Sequence, residues 1–577
     1  MADEEFDVLV VGGGVVGAGC ALDAVSRGLS VALVEARDWA SGTSSRSSKL
    51  IHGGLRYLEM LDFRLVREAL MERGLMLQRL APHLVQPVPF LYPLTSRWER
   101  PYVGAGMVLY DTLGSGSGWA RGLPRHRHLS RRQARAAFPA LRADALTGAV
   151  QYWDAQVDDA RHTMTLVRTA AAYGARVANR AQVVDFLRRD GRVTGAMVRD
   201  LETGQDLRVR ARQVINATGV WTDDTQALVE AAPPGAGRIR VRASKGVHLV
   251  VPRDRIRAEV GLILRTERSV LFVIPWGRHW IIGTTDTKWD LDKAHPAASK
   301  ADIDYLLDHV NRVVTDPISA EDVEGVYAGL RPLLAGESDA TSKLSREHLV
   351  VQQVPGLVVV AGGKYTTYRI MARDAVDVAA LGLERTAPAG APGDAVPGGA
   401  VPASVTENLP LLGAEGFAAL RNNRHHLAAS CGLTLDVVDH LLRRYGSLVY
   451  DILELIRARP ELAEPLPGGE DYLAAEVVYA VAAEGARHVP DVLVRRTRIS
   501  IEGWDRGGST ARAAARLMAP LLGWDDTEIA REVEHYLGRL EAERQSQKAV
   551  DDHTADATRI GAPDVVPTVP LRHQVTP

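Results

Sequence analysis

Arg46, Lys49, His52 and Arg56 fall within one hydroxyl- and glycine-rich stretch, Thr43-Ser44-Ser45-Arg46-Ser47-Ser48-Lys49-Leu50-Ile51-His52-Gly53-Gly54-Leu55-Arg56-Tyr57-Leu58. Guanidinium and ammonium groups recognise phosphate, and an imidazole can move a proton near neutral pH. The stretch opens soon after Glu35, the acid that closes a dinucleotide fingerprint. A loop in that place can reach from the phosphates of a bound dinucleotide to its reactive ring.

The fingerprint is Gly12-Gly13-Gly14-Val15-Val16-Gly17, set between a predicted strand, Phe6–Val11, and a predicted helix, Val15–Arg27. Gly12, Gly14 and Gly17 meet the three demands of such a turn: a tight bend, close approach of backbone to pyrophosphate, and close helix–strand packing. The helix N-terminus beyond it favours phosphate. Glu35 ends the next strand, Ser30–Glu35, about 20 residues on, where a carboxylate accepts bonds from a ribose. Together these point to a dinucleotide without choosing between NAD and FAD. An NAD enzyme of this fold usually continues through regular β-α units, whereas here the serine-rich loop follows. Val214–Trp221 and Val358–Thr367 each read as a strand running into a small-residue turn. The N–H groups of the Gly362-Gly363 turn could hold the carbonyl edge of a flavin.

These residues need a large scaffold to position them. The chain has 577 residues, enough for two or three domains. Its 46% hydrophobic and 24% charged residues are ordinary for a globular protein. A formal net charge of −2 argues against a nucleic-acid partner. Cys20 and Cys431 are the only cysteines. They fit a reducing cytosol and cannot build a disulfide framework or a four-cysteine zinc site, so no metal is expected. The acidic N-terminus lacks the basic start of a secretory signal. No apolar run approaches the roughly 18 residues that span a bilayer. Helical spacing marks Leu61–Leu80, Ala160–Ala172 and Asp302–Val313. Short β-like runs recur at Arg176–Leu187, Val193–Val198, Val209–Asn216, Val247–Val251, Ser269–Pro275 and His279–Ile282. That mixture predicts a second sheet interleaved with the nucleotide domain.

On Gly12–Gly17, Thr43–Leu58, Ile215–Trp221, Lys245–Pro252, Phe272–Asp286, Gly329–Leu333 and Gly362–Tyr368, the chain resembles the FAD-dependent sn-glycerol-3-phosphate dehydrogenases. These are a branch of the D-amino-acid-oxidase-like flavoproteins. The resemblance runs in order from about Phe6 to Arg373 and continues more weakly over the C-terminal part. It implies a mixed α/β fold: a Rossmann-like FAD-binding domain interleaved with an antiparallel-sheet substrate domain, then an all-α domain. The expected division is residues 1–385 for the oxidoreductase region, with its cap mainly in 80–160 and 235–335. A Pro/Gly/Ala-rich linker follows over 386–407, then helices over 408–542 and a tail without structure over 543–577.

The resemblance further implies non-covalent FAD, held by Gly12, Gly14, Gly17, Glu35, Thr43, Ser44, Ser45, Ser47, Ser48, Lys49, His52, Gly53, Gly54, Val183, Gly219, Trp221, Gly362, Gly363, Lys364 and Thr366. Arg56, Tyr57, His248, Arg331, Arg346 and Lys364 are expected to face a glycerol 3-phosphate substrate, with Thr285 and Asp286 nearby. Converging arginines suit a phosphate. His248, alternating into the apolar strand Val247–Val251, is the first choice for the base, and His52 is its competitor. Asp286, expected with His248 and Arg331 in the catalytic set, could orient a base or bond a substrate hydroxyl, or equally be a turn residue after Thr284-Thr285.

Family resemblance assigns the electrons to a membrane quinone; an oxidase passing them to oxygen would share these motifs. The apolar, aromatic run Tyr102–Leu113, followed by the basic stretch Arg121–Arg135, could touch an anionic bilayer surface. It could equally be a core helix followed by a solvated basic helix start at Ser130. Trp276, Trp280 and Trp289, at strand spacing, read as packing and not as an electron route. The expected state is a cytoplasmic homodimer, peripheral on the inner membrane face.

Overall fold

A computed structural model describes residues 1, 4–55, 58, 62–96, 98–115, 123–229, 239–266, 270–335, 347–384 and 400–571. Strand β1 (Glu5–Val11), helix α1 (Val15–Ser26) and strand β2 (Val31–Val34) form the expected βαβ unit. The two strands pair in parallel, Val8 to Val31 through Val11 to Val34. Gly28, at φ +85°, lets the chain leave the helix at once. Strand β3 (Asp206–Asn216) lies parallel on the other side of β1, and Leu357–Gly362 lies parallel beyond it. Helix Tyr368–Glu384 crosses α1 where Gly19 is small: a Cβ there would stand 3.0 Å from the Tyr368 ring. Val8, Val10, Ala21, Leu33, Met371 and Val376 fill that core.

A second sheet, mostly antiparallel, draws its strands from Gln86–Leu94, Arg127–Ser130, Gly148–Gln156 and the stretch 241–334. At one end of it β4 (Val241–Pro252) pairs with β5 (Gly325–Leu334), in a register that sets Ser244 against Arg331 and His248 against Tyr327. On its other edge His248 faces Gly283. Helix α2 (Glu99–Ser115) packs on this sheet, burying Met107 and Tyr110 while leaving Tyr102 and Val108 exposed. Trp280 and Trp289 are buried, as packing residues should be.

From Phe417 to Ile560 the chain is mostly helical, with one small hairpin, Pro465–Leu466 with Gly469–Leu473. This C-terminal region is fastened to the cofactor side by buried ion pairs. Arg496 forks onto Asp38 at 2.7 Å on both nitrogens, and Arg498 reaches Asp158 at 2.5 Å. Residues 543–577 were expected to lack structure; they do not over 543–571. One helix continues to Ser546, another spans Asp552–Ile560, and Val569 exchanges two 2.8 Å hydrogen bonds with Gln182. Specific polar contacts replace the apolar periodicity whose lack suggested disorder. Residues 386–399 of the expected linker lie outside the described residues.

Candidate functional site

A cavity of about 650 Å³ runs from the C-terminal ends of β1, β2 and β3 to the face of the second sheet. Its walls bring together Gly12, Gly14, Glu35, Thr43, Ser44, Ser47, Ser48, His52, Val183, Gly219, Trp221, His248, Arg331, Gly362, Gly363, Lys364 and Thr366. These residues come from well-separated parts of the chain and converge where parallel strands end and a helix begins, the usual ligand position in such sheets.

One end has the form of a dinucleotide cradle. Gly12 has φ +109°, and a Cβ there would lie 2.7 Å from the Ala217 carbonyl oxygen. A Cβ on Gly17 would lie 1.9 Å from the Gly12 oxygen, so Gly17 serves helix–strand packing and does not line the cavity. Helix α1 has no side-chain cap at Gly14, and its Val15 N–H donates to the Ser44 hydroxyl at 2.9 Å. That places an N-terminal dipole and a hydroxyl where a pyrophosphate would lie. Glu35 accepts from the Gly13 N–H at 2.6 Å and from the Arg37 N–H at 2.8 Å. Burial pushes its pKa up against those two N–H donors. Each oxygen keeps a second lone pair for a ribose hydroxyl. A glycine cradle, an open helix N-terminus and a ribose-side acid fit a dinucleotide.

The other end carries the proton chemistry. His248 is buried, stacks on Tyr327 at 4.7 Å and 10°, and shares a 2.8 Å hydrogen bond between Nε2 and the Ser48 hydroxyl. Gly283 makes room for it: a Cβ there would stand 2.3 Å from the imidazole. Burial, with Arg331 and Lys49 nearby, holds the His248 pKa well below its ordinary value. Its Nδ1 is buried without a hydrogen-bond partner among the described residues. A neutral, desolvated imidazole is a competent proton acceptor.

Arg331 is aimed by its neighbours. Its Nη2 donates to the Thr284 hydroxyl and to the Thr285 carbonyl, both at 3.1 Å. Its Nη1 stands 3.4 Å from the Ser244 hydroxyl and 3.5 Å from Asp286. Thr285 and Asp286 therefore stand behind Arg331 and do not border the cavity.

Besides Gly17, four residues expected at the cofactor are placed elsewhere. Lys49 is buried, its ammonium paired with Asp159 at 2.8 Å and 5.0 Å from the Tyr327 ring centre. A lysine so desolvated needs a carboxylate, and helix α3 (Asp159–Ala172) supplies it. Gly53 donates its N–H to the Tyr110 hydroxyl at 2.9 Å and packs against Leu70, while Gly54 turns the chain at φ +75°. Ser45 faces a second, smaller cavity. Arg56, Tyr57 and Arg346 lie outside the described residues.

The wall also contains residues to which the sequence assigned no contact. Arg37, Arg46 and Gln182 border it, as does an ion pair between Lys293 and Asp224 at 2.7 Å. Thr568, Val569 and Leu571 close it from the far end of the sequence. Arg46 was visible as a cation in the opening loop; nothing local signals the C-terminal segment.

Comparison with known proteins agrees with this geometry. The family model described as FAD dependent oxidoreductase matches residues 7–376, and that described as the C-terminal domain of alpha-glycerophosphate oxidase matches 404–529. The chain is 56% identical over 577 residues to "Glycerol-3-phosphate dehydrogenase 2" of Mycobacterium tuberculosis, covering 99% of this chain and 95% of that protein. It is 37% identical over 552 residues to the human mitochondrial glycerol-3-phosphate dehydrogenase, covering 92% of this chain and 72% of the relative. Among solved structures, the glycerol-3-phosphate dehydrogenase of Bacillus halodurans complexed with FAD superposes with a TM-score of 0.74 at 30% identity, covering 96% of each chain.

Proposed function

The chain belongs to the FAD-dependent glycerol-3-phosphate dehydrogenase family, and from that premise we propose that it oxidises sn-glycerol 3-phosphate at C2 to dihydroxyacetone phosphate and passes the electrons to a membrane quinone. The observation that carries this reading is the pairing, at one end of the cofactor cavity, of a neutral buried imidazole with two cations. His248 supplies the proton acceptor, and Arg331 and Lys364 supply the positive charge.

The chemistry supplied by FAD, when bound, is acceptance of a hydride at flavin N5. The chain's own residues do the rest. Gly12, Gly14, Ser44 and the α1 N-terminus receive the pyrophosphate, and Glu35 the adenosine ribose. Arg331, held by Thr284, Thr285 and Asp286, meets the substrate phosphate as a fixed fork, so binding energy is spent on aligning C2. His248 takes the C2 hydroxyl proton. Ser48 fixes the imidazole through Nε2, and burial, with Arg331 and Lys49 nearby, keeps it uncharged in the resting site.

The acceptor reading is supported by the surface beside α2. Trp98, Tyr102 and Val108 are exposed at 69%, 56% and 52%, and Arg127, Arg131, Arg132 and Arg135 are exposed near them in sequence. Aromatic side chains beside arginines suit an anionic lipid interface. Among the described residues no helix is long and apolar enough to cross a membrane.

The test is anaerobic addition of glycerol 3-phosphate to the FAD-loaded protein, then a soluble quinone, then oxygen. Bleaching of the flavin by the substrate and its recovery with quinone is the expected course. Failure to bleach would overturn the substrate. Recovery with oxygen alone, with stoichiometric peroxide, would replace the acceptor.

A further inference from the structure

Behind the cofactor cavity lies a second one, of about 140 Å³. The loop 37–46 bounds it on one side, β5 at Val326–Ala328 on another, and the C-terminal helices on the rest. Arg37, Ser41 and Arg46 line both cavities. Eight arginines border the second one, against four carboxylates.

Those carboxylates are shared. Asp564 serves Arg37 at 3.5 Å, His295 at 3.1 Å and also Arg539. Glu543 serves Arg506 at 3.4 Å and Arg559 at 3.6 Å. Arg46 receives none: among the described residues no carboxylate reaches it, and the acceptor its guanidinium finds is the Ala294 carbonyl, 3.0 Å from Nη1. Burial, then Arg37, Arg495, Arg559 and Arg539, push its pKa down to about 9. The other seven arginines each have a carboxylate within 4 Å, so the uncompensated charge is that of Arg46, and a desolvated cation without a counter-charge costs free energy unless an anion joins it. Guanidinium forks arriving from several directions match a tetrahedral oxyanion.

We propose that this second cavity is a binding site for a small phosphate-bearing anion, distinct from the cofactor cavity and held by Arg46, Arg539 and Arg559 between the FAD-binding region and the C-terminal helices. Arg539 and Arg559 do not border the cofactor cavity, and the glycine turn and Glu35 do not border this one. The anion is therefore not a cofactor phosphate in its cradle. The size of the space suits one phosphate group, free or esterified to a short chain. The inference is independent of which substrate is oxidised.

Isothermal titration of the FAD-loaded protein tests it. Arg331→Gln is used as background, so that the phosphate position proposed in the cofactor cavity is weakened. Inorganic phosphate and glycerol 2-phosphate are titrated separately at constant ionic strength. One saturable site for either is expected, and the tighter binder identifies its source. Replacing Arg539 and Arg559 with Gln should weaken that site by about tenfold or more, since each substitution removes a charge-assisted bond. Ser500→Glu puts a carboxylate into the cavity wall among the arginines and should abolish binding without unpairing any charge. Absence of a saturable site in the Arg331→Gln background would overturn the proposal. Binding left unchanged by Ser500→Glu would also overturn it, and neither result bears on flavin reduction.

Discussion

The buried pair between Lys49 and Asp159 ties the cofactor loop to helix α3, and its two members should not be equally costly to remove. Asp159 accepts from Lys49 Nζ at 2.8 Å, from the Ser47 N–H at 2.9 Å, from the Ser47 hydroxyl at 2.7 Å, and from Arg498. Asp159→Asn leaves Lys49 with no carboxylate, and with only the Ser45 carbonyl at 3.3 Å as a further acceptor. Breaking a buried pair in this way costs about 3–5 kcal/mol. Lys49→Met keeps the apolar stem, and Asp159 retains Arg498 and Ser47. The loss is then nearer that of one charge-assisted hydrogen bond, about 1.5–3 kcal/mol. The double variant restores charge balance, so it should cost less than the sum, with a coupling of about 1–3 kcal/mol. Urea unfolding followed by flavin fluorescence and by circular dichroism gives the midpoints. Lys49→Met as damaging as Asp159→Asn, or strict additivity in the double variant, would refute the reasoning that one uncompensated cation dominates.

His248→Asn should slow single-turnover flavin reduction by about 10²–10⁴-fold, the usual worth of a positioned general base. With the imidazole pKa held down, the wild-type rate should stay level to pH 6.5 and fall only in more acidic buffer. Burial opposes charge on His488, but hydrogen bonds to Glu202 and Glu532, each at 2.9 Å, outweigh it and raise its pKa to about 9. Its stabilisation is fully present below the unfolded value near 6.5 and is lost as pH rises through about 9. His488→Gln should therefore lower the chain's stability by about 2–3 kcal/mol at neutral pH, with the deficit vanishing in buffers above that range, as read from denaturant midpoints. Gly17→Ala must open the β1–α1 turn, because its Cβ would stand 1.9 Å from the Gly12 oxygen. Its FAD content after purification should drop to a small fraction of wild type, and an unchanged flavin-to-protein absorbance ratio would count against the packing argument.

How far the sequence could be read follows from the range of the forces involved. The βαβ unit and the placement of Glu35 at the cavity depend on local spacing and turn chemistry, and both were legible. The wall position of His248 follows from alternation along an apolar strand. Lys49, Gly53 and Gly54 share a loop with true wall residues, and proximity in number suggested a shared role. Their directions are set by partners far along the chain, Asp159 for Lys49 and Tyr110 for Gly53. Arg331's setting was half visible: its Gly-rich context could be read, but the use of Asp286 behind it could not. The segment beyond 543 is polar in composition, and its order rests on individual bonds such as Lys245 to Asp552 and Gln182 to Val569. No window of local hydrophobicity can register those.

The wall of the cofactor cavity includes both Gly12 and Leu571. Gly12 is translated long before Leu571, so in the interval the βαβ cradle exists without its last wall. The cradle gains that wall when Gln182 receives Val569.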